Sequence, residues 1–122
     1  MPGTPDNLRK SVAASTYHAI SAASTNAAVV KSTPGVVTGY YISNRSAGFR
    51  AVKLYNKATS PTVGTDVPRV VLDIPFESAA NIALDPPVAF ETGIGIAIVT
   101  GIADSDATAV GANEVAVTLF YL

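Results

Sequence analysis

The chain has 122 residues, a length that suits one domain with a core of its own. Hydrophobic residues make up 48% and charged residues only 14%, against roughly 25% charged in an ordinary globular domain; there is no cysteine, so disulfides and thiolate metal sites are excluded. The net charge of −1 conceals a split, with seven Lys/Arg against Asp6 in residues 1–65 (+6) and Arg69 against eight acids in residues 66–122 (−7).

Such a composition predicts a surface of Ser, Thr, Ala, Gly and Asn, suited to burial against neighbours; a low-charge monomer is the plain alternative. The charge split has two readings as well. It pairs strands within one sandwich, or it sets the basic half of one molecule against the acidic half of another.

In chain order, MPGTPDNLRKSVAAS has two prolines and no continuous apolar stretch, so no signal peptide is expected. Over Leu8–Ala23 the residues Val12, Tyr17 and Ile20 are loosely spaced as on a helix. Ser11, Ser15, Thr16, Ser21 and Ser24, however, compete for backbone hydrogen bonds. Residues 1–26 are therefore read as an extended N-terminal arm, ordered against its own domain or a neighbour, and residues 27–122 as a β-sandwich. Ala27–Ser32 is a short strand before the Pro34-Gly35 turn, and Val36–Ser43 is β-branched and aromatic. There Tyr40 and Tyr41 fall on opposite faces, one for the core and one for an interface. Phe49–Asn56 sets Val52 and Leu54 against Ala51, Lys53 and Tyr55.

A loop rich in Thr, Pro, Gly and Asp spans Lys57–Pro68. In Arg69–Phe76 the residues Val70, Leu72, Ile74 and Phe76 point inward, and Arg69, Val71 and Asp73 outward. Asp85-Pro86-Pro87 is a stop, with Val88–Phe90 a short edge strand after it. Ile94–Thr100 carries Ile94, Ile96 and Ile98 on one face. The small residues of its other face predict close approach of another backbone or subunit. Glu114–Leu122, the last strand, aligns Val115, Val117, Leu119 and Tyr121. About seven short strands without a helix predict an all-β, antiparallel β-sandwich, jelly-roll-like in form. No apolar run reaches the ~20 residues of a bilayer span, so a soluble protein is expected.

The chemistry is sparse. His18 is the only histidine, and without cysteine it supports neither a catalytic triad nor a side-chain zinc site in one chain. Asp104-Ser-Asp106 opens like a calcium loop, yet positions six and twelve are Ala109 and Val115 rather than Gly and Glu. Asp73, Glu77, Asp85 and Glu91 form no pair that spacing singles out for glycosidic chemistry. Gly93-Ile-Gly95 leads into a strand rather than a helix, unlike a nucleotide loop. Basic residues form no aromatic-interleaved patch, so specific nucleic-acid binding is not expected. Tyr55 and Asn56 are the nearest approach to a carbohydrate-binding pair.

The run SNRSAGFRAVKLYNKATSPTVGTDVP over Ser43–Pro68, and FETGIGIAIVTGIADSDATAV over Phe90–Val110, resemble two blocks shared by small structural proteins of tailed bacteriophages and prophages. The likeness covers about residues 25–122. It implies a non-enzymatic virion component without cofactor or metal, resembling the cement or decoration proteins that sit on the capsid surface. The implied partners are a major capsid protein and further copies of the chain, as a dimer or trimer, with no membrane and no specific nucleic acid. A tail, neck or fibre-associated protein is the alternative, and a carbohydrate-binding sandwich a further one. On this view the arm and the loops at 57–68 and 101–113 touch neighbours. The expected contact residues are Tyr17, His18, Tyr40, Lys57, Thr59, Pro61, Val63, Asp66, Asp104 and Asp106.

Overall fold

The structure is a computed structural model and describes residues 13–122. Eight strands make up the chain in order: β1 (Ser15–Ile20), β2 (Ala28–Lys31), β3 (Gly35–Asn44), β4 (Arg50–Asn56), β5 (Val70–Ile74), β6 (Ser78–Phe90), β7 (Ile94–Val99) and β8 (Val115–Tyr121). They form two four-stranded antiparallel sheets, ordered β1-β8-β3-β6 and β2-β7-β4-β5. β1 pairs with β8, β2 with β7, β3 with β6 and β4 with β5. These are the pairings of a single long hairpin, and β3–β8 and β4–β7 are added when that ribbon rolls up.

The expected all-β sandwich is thus present, and alternation builds its core. Val37, Ile42, Val117 and Leu119 of the first sheet meet Val52, Leu54, Ile94, Ile96 and Ile98 of the second, all at most 2% exposed. Burying each such side chain is worth about 1.5–3 kcal/mol.

Several boundaries differ from the sequence reading. Of the arm expected over residues 1–26, the part from Ser15 on lies on its own sandwich. Its strand β1 is in register with β8 from Ser15↔Tyr121 to Ile20↔Ala116. The Ser-rich segment after it is tied down by the side-chain to backbone bonds that argued against helix. Buried Ser21 donates its hydroxyl to Gly111 O (2.8 Å) and accepts from Glu114 N and Val115 N. Asn26, at positive φ, accepts from Ala22 N (2.8 Å). The sandwich therefore begins well before residue 27, and the first twelve residues of the expected arm lie outside the described ones.

Asp85-Pro86-Pro87 is not a stop. β6 runs through it as the edge strand of the first sheet, where proline costs no ladder bond. The register jumps there from Val37↔Val88 to Gly39↔Ala83, so the prolines sit in an irregularity of the ladder. Phe76, expected inward, is 53% exposed. β5 ends at Ile74 because Asn44, buried at the end of β3, caps it. Its Nδ2 shares two N–H donors among the carbonyls of Gly48, Ile74 and Pro75, at 3.0, 3.0 and 3.1 Å. Phe76 instead meets Phe49 edge-on outside the core, with ring centroids 6.0 Å apart.

Candidate functional site

The contact loops were placed on the rim by the sequence; the structure lays them across the outer face of the second sheet. β4 is consequently buried on both faces, with Ala51, Lys53 and Tyr55 as inaccessible as Val52 and Leu54. The close approach expected at the small face of β7 is made by the chain itself. Pro61 packs over Gly95, where a Cβ would stand 3.3 Å from Pro61 Cδ. The two loops also touch each other. Gly64, at φ +90°, lies under Ser105 and Ala107, and a side chain there would press on both.

Each loop carries its own fastenings. Asp66 Oδ2 accepts from Lys57 Nζ (2.6 Å) and from Thr62 N (2.7 Å), closing residues 57–66 into a compact turn. These two donors, the lysine first, hold the Asp66 carboxyl below its ordinary range. In the second loop Lys53, fully buried, extends its Nζ to Ala103 O (2.5 Å) and Asp106 O (3.2 Å). Two backbone carbonyls of that loop thus accept from a lysine of the neighbouring strand. The Asp106 carboxylate accepts from Thr108 N (2.9 Å).

A cavity of about 330 Å³ lies beside the first loop, lined by Tyr55, Asn56, Lys57, Asp66, Val67, Pro68 and Arg69. Its charges are already matched, Lys57 with Asp66 and Arg69 with Glu91, both at 2.6 Å. The Tyr55 hydroxyl is buried without a hydrogen-bond partner among the described residues. Desolvation first, then the charges of Asp66 and Asp104, push that phenol above its ordinary range. Tyr55 is 1% exposed, and Asn56 is engaged by Glu91 (2.9 Å) and Thr92 N (2.9 Å). The carbohydrate-binding pair is therefore corrected, since its aromatic has no face for a sugar to stack on.

Of the expected contact residues, Tyr40 is a core residue at 9% exposure, and its neighbour Tyr41, at 46%, is the surface member of the pair. Pro61 is buried under its own loop, and Tyr17 points inward from β1 to pack on the core. His18 is exposed on β1, with Nδ1 3.4 Å from Thr118 Oγ1. Thr59 and Asp104 are exposed; Lys57, Val63, Asp66 and Asp106 are half-buried within the loops. What the sequence reading missed are the loops' apolar tips, Val67 at 72% and Ile102 at 58% exposure. A lone valine or isoleucine in a polar loop gives no period by which to find it.

Part of the charge split closes within the chain. Arg50 pairs with Glu114 (2.9 Å) and Lys57 with Asp66, in each case a base of the first half with an acid of the second. Among the described residues nothing covers the outer face of the first sheet. Across its strands run His18, Thr118, Tyr41 and Asn81 in one row, and Thr16, Phe120, Gly39 and Ala83 in another, with no charged side chain in either. Comparisons with protein-family models, with curated proteins and with solved structures find no match for this chain.

Proposed function

We propose that this chain is a non-enzymatic structural protein of a phage virion, a cement or decoration protein that binds the capsid surface and clamps adjacent major capsid subunits. The observation that carries the reading is the bare outer face of the first sheet, four strands wide and without charge in its central rows. A flat surface of Thr, Tyr, His and Asn desolvates cheaply against another protein, and Tyr is favoured in such contacts. The resemblance of residues 43–68 and 90–110 to tailed-phage structural proteins supports it. So does the rolled-hairpin pairing of the strands, which we read as jelly-roll-like, an architecture used by capsid proteins. Many copies on one shell turn modest contacts into firm attachment.

The test is cryo-microscopy of particles carrying the protein. Density for the sandwich on the head, over junctions between capsid subunits, is the expected result. Density only at the tail or neck moves the protein to the alternative class of virion component, and particles lacking it altogether end the proposal.

A further inference from the structure

Among the described residues each sheet has two edges, and three of the four are short: β1 has six residues, β5 five, and β2 four with a break in register at Val29/Lys31. β6 is different. It has 13 residues, and its first half, Ser78–Leu84, contains no charge, no proline and no register shift. An edge of that kind presents a row of unpaired N–H and C=O groups, and soluble proteins ordinarily blunt it. The blunting devices are present only beyond it, in Asp85-Pro86-Pro87.

A second observation concerns the side chains beside that edge. Ile82 lies opposite Tyr40 and shares its inward direction, yet it is 43% exposed. At the start of the strand the Phe49–Phe76 pair is exposed as well, held rigid by Asn44 beneath it. Charge is placed at both ends. Arg45 lines the cavity at the Phe76 end with Glu77, and Asp85 follows the Ile82 end; among the described residues none of the three makes an ion pair.

We infer that β6 is the dimerisation edge, pairing antiparallel with the β6 of a second copy across a two-fold axis. Antiparallel pairing sets the Phe76 end of one strand beside the Ile82 end of the other. Aromatic then meets aliphatic, and Arg45 offsets the like charges of Glu77 and the partner copy's Asp85, which this pairing brings together, twice per interface. A two-fold contact must be complementary to itself, and this edge has that form. The two first sheets join into one of eight strands, which doubles the bare face available to a partner. The inference does not depend on the virion reading, because it concerns the isolated chain in buffer.

Sedimentation velocity on the full chain over a concentration series should show a species of twice the chain mass. Ile82→Lys should weaken it by about tenfold or more, since a charge would be buried unpaired. Its thermal midpoint should change little, the site being half in water already. Ala83→Lys, on the other face of the same edge, is the second probe should Ile82→Lys fail to fold. Arg45→Glu should weaken the dimer, and Asp85→Arg added to it should restore it. Amides of Ser78–Leu84 should gain exchange protection as concentration rises. A chain that stays monomeric throughout, or a dimer indifferent to both lysine variants, overturns the inference, whatever the location in the particle.

Discussion

The two sheets are built from the same alternating pattern and end in opposite surroundings. Among the described residues, the first turns to solvent an outer face without charge in its central rows. The second is roofed by the chain's own loops, so that a lysine and a tyrosine on its outer side are as buried as the core. The difference teaches that outward on a strand is a direction, not an environment. What covers the outward face decides whether a polar residue there is a contact for others or a fastening for the chain. Lys53 is a fastening and Tyr41 is free.

Removing the fastening should have the largest effect. Lys53→Ala leaves the Ala103 and Asp106 carbonyls without their donor, each at about 1–3 kcal/mol, and strips a buried aliphatic stem. A loss of about 2–4 kcal/mol is expected from urea unfolding, with exchange accelerating first over residues 101–109. Equal acceleration throughout the chain would mean that the lysine does not hold the loop in particular.

Next comes pH. Asp66 and Glu91 both have carboxyls held below their ordinary range, chiefly by hydrogen bonds from Lys57 and Arg69 respectively. A lowered folded value means that the folded state binds the proton less readily than the unfolded one. The stabilisation is then complete above the ordinary carboxylate range, about pH 4, and is lost as pH falls through the lowered values. Both groups are near the surface and screened by solvent, so the effect is modest. The thermal midpoint should fall on acidification below about pH 4, and less steeply in Asp66→Asn than in the parent.

On the bare sheet the expectation reverses. Tyr41→Ser should shift stability by no more than about 0.5 kcal/mol, as exposed positions do, while on the proposed function attachment to particles falls. A stability loss comparable to that of Lys53→Ala would erase the distinction between the two faces.

How much of this was legible follows the same division. Alternation in Val52/Leu54, Ile94/Ile96/Ile98 and Val115/Val117/Leu119 placed the core correctly, because a period of two is a local property. β1 was missed as a sandwich strand because STYHAI is polar on one side and its partner β8 lies about a hundred residues away. Of β6 only Val88–Phe90 was read as a strand, and Ser78–Leu84 was assigned to no element, because Pro86 and Pro87 break strands in general and only a place at an edge allows them. Tyr55 and Lys53 read as surface residues since nothing near them in sequence announces the loops that fold over them. The Lys57–Pro68 loop was read as a contact with neighbours, and its packing over Gly95 of its own sheet is a tertiary fact that local composition does not announce.

A substitution expected to cost nothing is the sharpest test of the roof. Tyr55 has its ring packed beneath the loops and its hydroxyl buried without a partner among the described residues. Such a hydroxyl has lost its hydrogen bonds to water on folding and regained none, so deleting it removes a penalty rather than a contact. The ring keeps its packing in Tyr55→Phe. Stability should therefore stay the same or rise slightly, by at most about 1 kcal/mol, where a tyrosine so deeply buried would ordinarily be costly to change. A clear loss in calorimetry would show that the hydroxyl is bonded under the loops, and that the roof over the second sheet is wetter than its packing indicates.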